Sequence, residues 1–581
     1  KDLVKDRLKL KTLPKDTLSI LEEKSRFNPL FLEQIAIYIT DNSVLDSKNR
    51  IKDPANLPVG MNQIILARID KLKTNLREII KTASCIGNEI ALDLLSYLFR
   101  NKYSDISAYL TDLEKEDIFI LFSEMSYLFK YGVIRDVVYN IQLKKVLREL
   151  HGEIGEAIEN LHTKNIENYY SILAYHYENA ENAEKALLYH EKAGYQAKDN
   201  YHNDQALYHF DRAAYFISVK NGITEDEWVV KYKELAEDQV KHFIELNIQR
   251  FHFYYAFRQD IQTSNKIMEL MHELSTILGD GYYISHSLIN RSLMLANKGE
   301  FEKSNSDLNA AIEIQKKLGL FYFSATSHIS LAKNHMMVGN MKKASDCLHI
   351  GLKMAELIDN KKQKDKIKAK IYGDMGIVYD YSGNMQEALN YYNRQLEITE
   401  KLNLKIEKAL ALGNIGVIYH MSGDLNKAKE YYQMKLKLSE ELGRKADMTH
   451  ILNNMGFLYK DLKDYQKAVS FHKKSINLSR EISDYNTEAE ACVNLGHVYK
   501  LTEDHNKAEQ SYLNGLKIAE NFGFRHVYAE GMIELADLYF IQEKIQLSKE
   551  YVEVGLQTAI EIKFSEYIEK GSNILEKINS K

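Results

Sequence analysis

All four prolines of the chain, Pro14, Pro29, Pro54 and Pro58, lie in its first tenth, and none follows Pro58. Proline lacks a backbone N–H and clashes with the preceding helical turn, so it interrupts helices wherever it falls. A chain that avoids it for so long, while using Leu, Lys, Glu and Ala freely, is predicted to be helical throughout that length. At 581 residues it is too long for one compact core, which implies several domains or an extended array. A content of 45% hydrophobic and 27% charged residues excludes disorder. The net charge of -5 argues against a general nucleic-acid binder. Cys85, Cys347 and Cys492 are far apart and form no CxxC pair. They exclude a disulfide framework or zinc cluster and fit a reducing, cytoplasmic setting. No stretch reads as a membrane span or signal peptide, so no membrane partner is expected. The chain opens on Lys1 rather than Met and reads as a piece of a longer protein.

From about residue 245 the sequence repeats itself. Gly376, Gly416, Gly456 and Gly496 are 40 residues apart, and Ala536, Ala332, Ser292 and faintly His252 extend the register. One spacing is 44, accounted for by the lysine-rich insertion at Asp359 to Lys366. Twelve residues after each small residue stands another: Ala344, Ala388, Ala428, Ala468 and Ala508. Tyr379, Tyr419, Tyr459, Tyr499 and Tyr539 follow the first small residue by three. Such spacing describes antiparallel helix pairs, in which Gly or Ala admits the neighbouring helix and tyrosine fills the next layer. Between the helices, SGN, SGD, LKD and TED supply a turn residue and then a capping Asn or Asp. No pair can bury its apolar face alone, so the pairs must stack into an α-solenoid.

This pattern resembles the tetratricopeptide repeat, in a longer-helix form similar to that of kinesin light chain. The predicted fold is all-α. A solenoid of about eight repeats covers 241–563, the first of them weak, with a capping helix over 564–581. Residues 151–240 read as irregular repeat-like helices, with Ala174, Ala186, Ala206 and Ala213 at related spacings. The first helices are expected to line the concave face. Two residues before the small residue, that face carries Asn290, Ser330, Asp374, Asn414, Asn454, Asn494 and Glu534. A carboxamide both donates and accepts, so an asparagine ladder can grip the backbone of an extended peptide without reading its sequence. The resemblance marks Asn414, Asn454 and Asn494 as the first candidates, with Asn453, Lys460, Lys500 and His497 beside them. The alternative is that these asparagines satisfy neighbouring helix ends and bind nothing. A clamp for a C-terminal carboxylate would need lysines at several groove positions, and only Lys370 is suitably placed.

Near the start, Phe27-Asn28-Pro29-Leu30-Phe31 resembles the GNPLF element of the signal-transducing ATPases with numerous domains, with Phe27 in the place of glycine. The stretches Leu57–Ile90 and Tyr127–Glu159 resemble bacterial proteins that join a nucleotide cyclase, such an ATPase and tetratricopeptide repeats. The resemblance implies a helical lid subdomain over 1–57 and a winged-helix domain over 58–150. It also implies that Pro29 packs on the adenine of ATP or ADP when the nucleotide-binding core is present. Tyr131 stands where these proteins often place a phosphate-touching histidine. The expected third winged-helix helix carries Asp105, Asp112, Glu114, Glu116 and Asp117 against Lys115, which repels a nucleic-acid backbone.

The sequence contains no phosphate-cradling GxxxxGK[ST] loop, no GxSxG and no HExxH, so no catalytic or metal site is expected within the chain. His202, His209, His242 and His252 read as packing or surface residues. The function this implies is the sensor region of a multidomain signalling ATPase. It would bind a protein or peptide in the groove, contact an upstream nucleotide-binding domain and relay to an output module such as a cyclase or kinase. A stand-alone repeat scaffold is the alternative. A transcription regulator of the maltose-activator type is a third reading, weakened by the short amphipathic segment SNILEKINSK at the end.

Overall fold

The computed structural model describes residues 8, 10, 14–26, 28–54, 57–58, 60–200 and 202–580, and any absence stated for the fold is an absence among these. The chain divides into two compact units, 1–279 and 280–581.

The first unit opens with helices Lys15–Ser25 and Pro29–Asp41. Pro29 takes the first helical position, where its missing N–H costs nothing, and Asn28 caps the helix by accepting from the Phe31 amide at 3.1 Å. Next come helices Met61–Lys71 and Thr74–Ile86, strand β1 (Glu89–Ala91), helices Leu92–Phe99 and Ser107–Lys115, and a hairpin of β2 (Phe119–Ser123) and β3 (Ser126–Phe129). The sheet is antiparallel in the order β1-β3-β2, with Ile90 opposite Tyr127 and Phe119 opposite Phe129. These helices and strands close around Ile79, Ile80, Leu95, Leu110 and Phe119.

After the helix Gly132–Asn140 come Lys144–Leu161, Tyr170–Asn179, Ala183–Asp199 and Asn203–Lys220. Their junctions bury imidazoles in pairs. The Nδ1 atoms of His151 and His176 are 2.9 Å apart, and those of His190 and His209 are 3.0 Å apart. In the second pair, His190 Nε2 is 2.9 Å from the Glu178 carboxylate and must donate to it. His190 Nδ1 then accepts from His209, and His209 Nε2 accepts from the Ser171 hydroxyl at 3.1 Å. His209 is thus a packing residue, and so is the less buried His242, which lies 3.0 Å from Glu191. The chain's single tryptophan, Trp228, is fully buried, donates to Ser218 at 2.8 Å and stacks on Phe243. The weak repeat expected from residue 241 lies here as Glu237–His252 and Ile261–Leu278, joined through a π-helical stretch, Phe253–Arg258.

The second unit holds seven helical hairpins and a final helix, Ser565–Asn579. Its first helices Lys405–Met421, Lys445–Asp461, Tyr485–Leu501 and Arg525–Ile541 each have 17 residues. Lys361–Tyr381 has 21. The four extra residues of the lysine-rich insertion are therefore one added helical turn, which leaves the buried face in register. Asn340, Asn384, Asp424, Asp464 and Asp504 cap the second helices, each accepting from the amide three residues on. The preceding residue is left-handed in each case: Gly339, Gly383 and Gly423, but also Lys463 and Glu503. No described helix is long and apolar enough to cross a membrane.

The small residues act by close approach to an aromatic ring. A Cβ on Gly376 would lie 2.3 Å from the Tyr392 ring, on Gly416 2.5 Å from Tyr432, on Gly456 2.4 Å from His472, and on Gly496 2.6 Å from Tyr512. The tyrosine three residues on stacks instead on the neighbouring aromatic: Tyr379 on Tyr391, Tyr419 on Tyr431, and Tyr459 on Phe471. The repeats of Gly376, Gly416 and Gly456 thus hold two layered aromatic contacts, one edge of which requires glycine.

Candidate functional site: the inner face of the second unit

The first helices of successive hairpins touch along much of the stack, whereas their second helices do not approach as closely. The first helices therefore form the inner face. On a 3.6-residue helix, positions i, i+4, i+7 and i+11 share one side. Read this way, the inner stripes are Lys370-Asp374-Ile377-Tyr381, Leu410-Asn414-Val417-Met421, His450-Asn454-Phe457-Asp461, Glu490-Asn494-His497-Leu501 and Glu530-Glu534-Asp537-Ile541.

The candidate asparagines separate into two sets. Asn414 and Asn454 are half-buried, and neither side chain is hydrogen-bonded to another described residue. Ile377, Val417 and Phe457, also half-buried, lie one turn further along the same stripes. Asn453 and Asn494 are buried and engaged with each other. The Asn453 oxygen accepts from Asn494 at 3.2 Å and from His472 Nδ1 at 2.9 Å. This fixes the His472 tautomer, with the proton on Nδ1, and leaves its buried Nε2 without a partner. Burial holds the His472 pKa down at about 3.

Lys460, His497 and Lys500 are on the inner face but differ in engagement. Lys460 lies over the Phe457 ring at 4.9 Å and 3.6 Å from Asp461. Lys500 bonds Glu534 at 2.6 Å and Asp537 at 2.8 Å. Burial opposes the charge of Lys500, and the two carboxylates overcome it, raising its pKa. Glu534 is 3% exposed and is also met by His497 at 3.3 Å and by Lys570 of the final helix. Burial opposes its charge too, but His497, Lys500 and Lys570 hold it well below the usual carboxylate range. Glu530 accepts from Tyr567 at 2.9 Å, and burial raises its pKa. Sequence reasoning missed this cluster, although the spacing of Glu530, Glu534 and Asp537 put three acids on one stripe. At the other end, Lys333 stands 4.0 Å from Asp374. Burial raises the Asp374 carboxyl and lowers the Lys370 ammonium.

In the first unit, Pro29 is exposed at its helix start, and Phe27 lies outside the described residues. The Tyr131 hydroxyl donates to Glu33 of the same helix at 2.7 Å, and Arg68 donates to Gln34 at 2.5 Å. The Tyr131 hydroxyl is thus committed to a carboxylate, whose negative charge would repel a phosphate placed beside it. No group of three or more His, Cys, Asp or Glu side chains among the described residues could hold a metal ion.

The family model of the tetratricopeptide repeat matches residues 368–441 and 447–521. No curated protein matches the chain. Among solved structures, a signal transduction ATPase with numerous domains carrying a tetratricopeptide repeat sensor, PH0952 from Pyrococcus horikoshii, is 17% identical. The match covers 97% of this chain and 75% of that one, with a TM-score of 0.46. The apo form of RapI is 15% identical over 66% of this chain and 99% of its own, with a TM-score of 0.48. The apo quorum sensor NprR from B. thuringiensis is 15% identical over 62% and 99%, with a TM-score of 0.45. Residues 368–441 and 447–521 are tetratricopeptide repeats, set within a longer helical solenoid.

Proposed function

We propose that the inner face of the second unit binds an extended peptide or protein segment, and that the chain is the sensor region of a larger signalling ATPase. The observation that carries the first part is the pair Asn414 and Asn454. These carboxamides stand one repeat apart, half-buried and without hydrogen-bond partners among the described residues, beside the apolar positions Val417 and Phe457. A peptide backbone laid across them gains paired donors and acceptors, while its side chains cover the apolar positions. Asn453 and Asn494 serve as the support that holds the helices in step. Screening the full chain against an array of short peptides tests this. Replacing Asn414 and Asn454 together by Ala is expected to abolish the binding found, with folding unchanged by circular dichroism. Undiminished binding would remove the assignment.

The relay rests on the first unit, where Tyr131 and Arg68 tie the winged-helix region to the helix begun by Pro29. In this reading 1–57 serves as the lid of an upstream nucleotide-binding domain that drives an output module such as a cyclase or kinase. The winged helix is a spacer: its acidic helix Ser107–Lys115 and the flanking Asp105, Glu116 and Asp117 repel nucleic acid. The intact mass of the native protein decides between this and a stand-alone scaffold. A mass far above 67.4 kDa, with a phosphate-binding loop encoded upstream, supports the relay. A native protein of this size leaves the scaffold.

A further inference from the structure

The inner face changes chemistry along its length. On Lys405–Met421 the stripe is apolar around its asparagine, with Leu410 and Met421 exposed and Val417 half-buried. On Lys445–Asp461 it keeps Phe457. Two repeats further on it is acidic, and its cations are shared unevenly among the carboxylates. Lys500, Lys570 and His497 are committed to Glu534 and Asp537. Glu530 receives only the Tyr567 hydroxyl, with His497 at 4.0 Å. Glu490 receives the Asn486 amide at 2.8 Å and His526 at 3.4 Å. A second observation points the same way. Tyr512 is fully buried against this corner, its ring 5.7 Å from that of His497, and its hydroxyl has no partner. Lys570, seated on Glu534, shows that the corner accepts an ammonium from outside the repeat array.

We propose that the groove selects segments in which apolar side chains, seated at Val417 and Phe457, are followed by a Lys or Arg that reaches Glu490 and Glu530. The inference rests on the groove reading above and names the class of peptide it takes. Neighbouring helices pack roughly 10 Å apart and an extended chain advances about 3.3 Å per residue, so each repeat spans about three residues. The cation therefore belongs about six to nine residues from the apolar contact at Val417. A charge-assisted contact with a half-buried carboxylate is among the stronger single contacts available to such a ligand.

The test uses the full chain and a positional array of short peptides. A Leu or Phe is held fixed while Lys, Arg, Ala or Glu is moved along the sequence. Lys or Arg in the stated window is expected to bind about tenfold more tightly than Ala. The double variant Glu490→Gln, Glu530→Gln should erase that preference while still binding the Ala peptides. Glu490→Gln alone, at the less buried site, should reduce it. Peptides that bind with no preference for a cation would overturn the inference and leave the groove reading standing, as would a preference that survives in the double variant. An array on which nothing binds would defeat both.

Discussion

The helix pairs at 144–220 and the hairpins at 361–522 meet the same problem, two helices pressed closer than ordinary side chains allow, with different materials. Both use glycine against a ring. A Cβ on Gly155 would lie 2.8 Å from Tyr177 and one on Gly194 3.0 Å from Phe210, against 2.3–2.6 Å in the regular repeats. Between these contacts the irregular pairs bury imidazoles bonded to each other, whereas the regular repeats stack tyrosines. The regular solution recurs from repeat to repeat because most of its contacts need only shape. The irregular one depends on protonation, because two Nδ1 atoms about 3 Å apart bond only when one of them lacks a proton.

The largest effect should come from filling the tightest glycine. Gly376→Ala is expected to destabilise the second unit by about 1–3 kcal/mol, through overpacking against Tyr392. Gly194→Ala should cost less, since Phe210 need yield only a few tenths of an ångström. Urea unfolding followed by circular dichroism measures both, and equal losses would erase the distinction between the two designs.

Acidification should come next. Burial lowers the pKa of His151 and His209 to about 4, and that of His176, aided by His151, to about 3. The unfolded chain takes up these protons near pH 6.5 and the folded one does not, so stability is complete above pH 6.5 and falls as the pH drops toward 4. A tenfold weaker hold on one proton is worth about 1.4 kcal/mol, so the three imidazoles together make the loss on the order of several kcal/mol. Trp228, buried in the first unit, reports the transition by fluorescence. His472 makes the contrast sharper. It occupies the position of Tyr392, Tyr432 and Tyr512, so His472→Tyr should reduce the acid sensitivity of the second unit. No similar exchange is open to His151 or His176, whose bonds are to each other.

The smallest expected effect lies in the turns. Lys463 and Glu503 hold left-handed conformations that glycine supplies at Gly383 and Gly423. Glu503→Gly should raise stability by about 1 kcal/mol by removing that strain, visible as a modest rise in melting temperature.

Much of this was legible in the sequence. The 40-residue period, the small residues and the Asn or Asp caps each follow from local chemistry, and the four-residue insertion declared itself as a break in register. The rings that press on the glycines were less visible, although Tyr392, Tyr432 and Tyr512 follow them by a constant 16 residues. The histidine pairs were not legible, because partners 25 and 19 residues apart meet only through the packing angle of successive helices. The asparagine ladder was readable as a row. Which rungs stay open was less plain: Asn494 closes on Asn453, whereas the equivalent positions below Asn454 and Asn414 are Gly413 and Gly373, which offer no side chain.

Hairpins of equal helix length make the inner face a ruler with uniform graduations. A deletion or duplication of one whole period would rejoin matching surfaces, so such a protein can lengthen or shorten its reading frame in whole steps. The single added turn in Lys361–Tyr381 is a graduation of a different size, and an exchange that included it would shift the scale by a turn of helix rather than by a whole step.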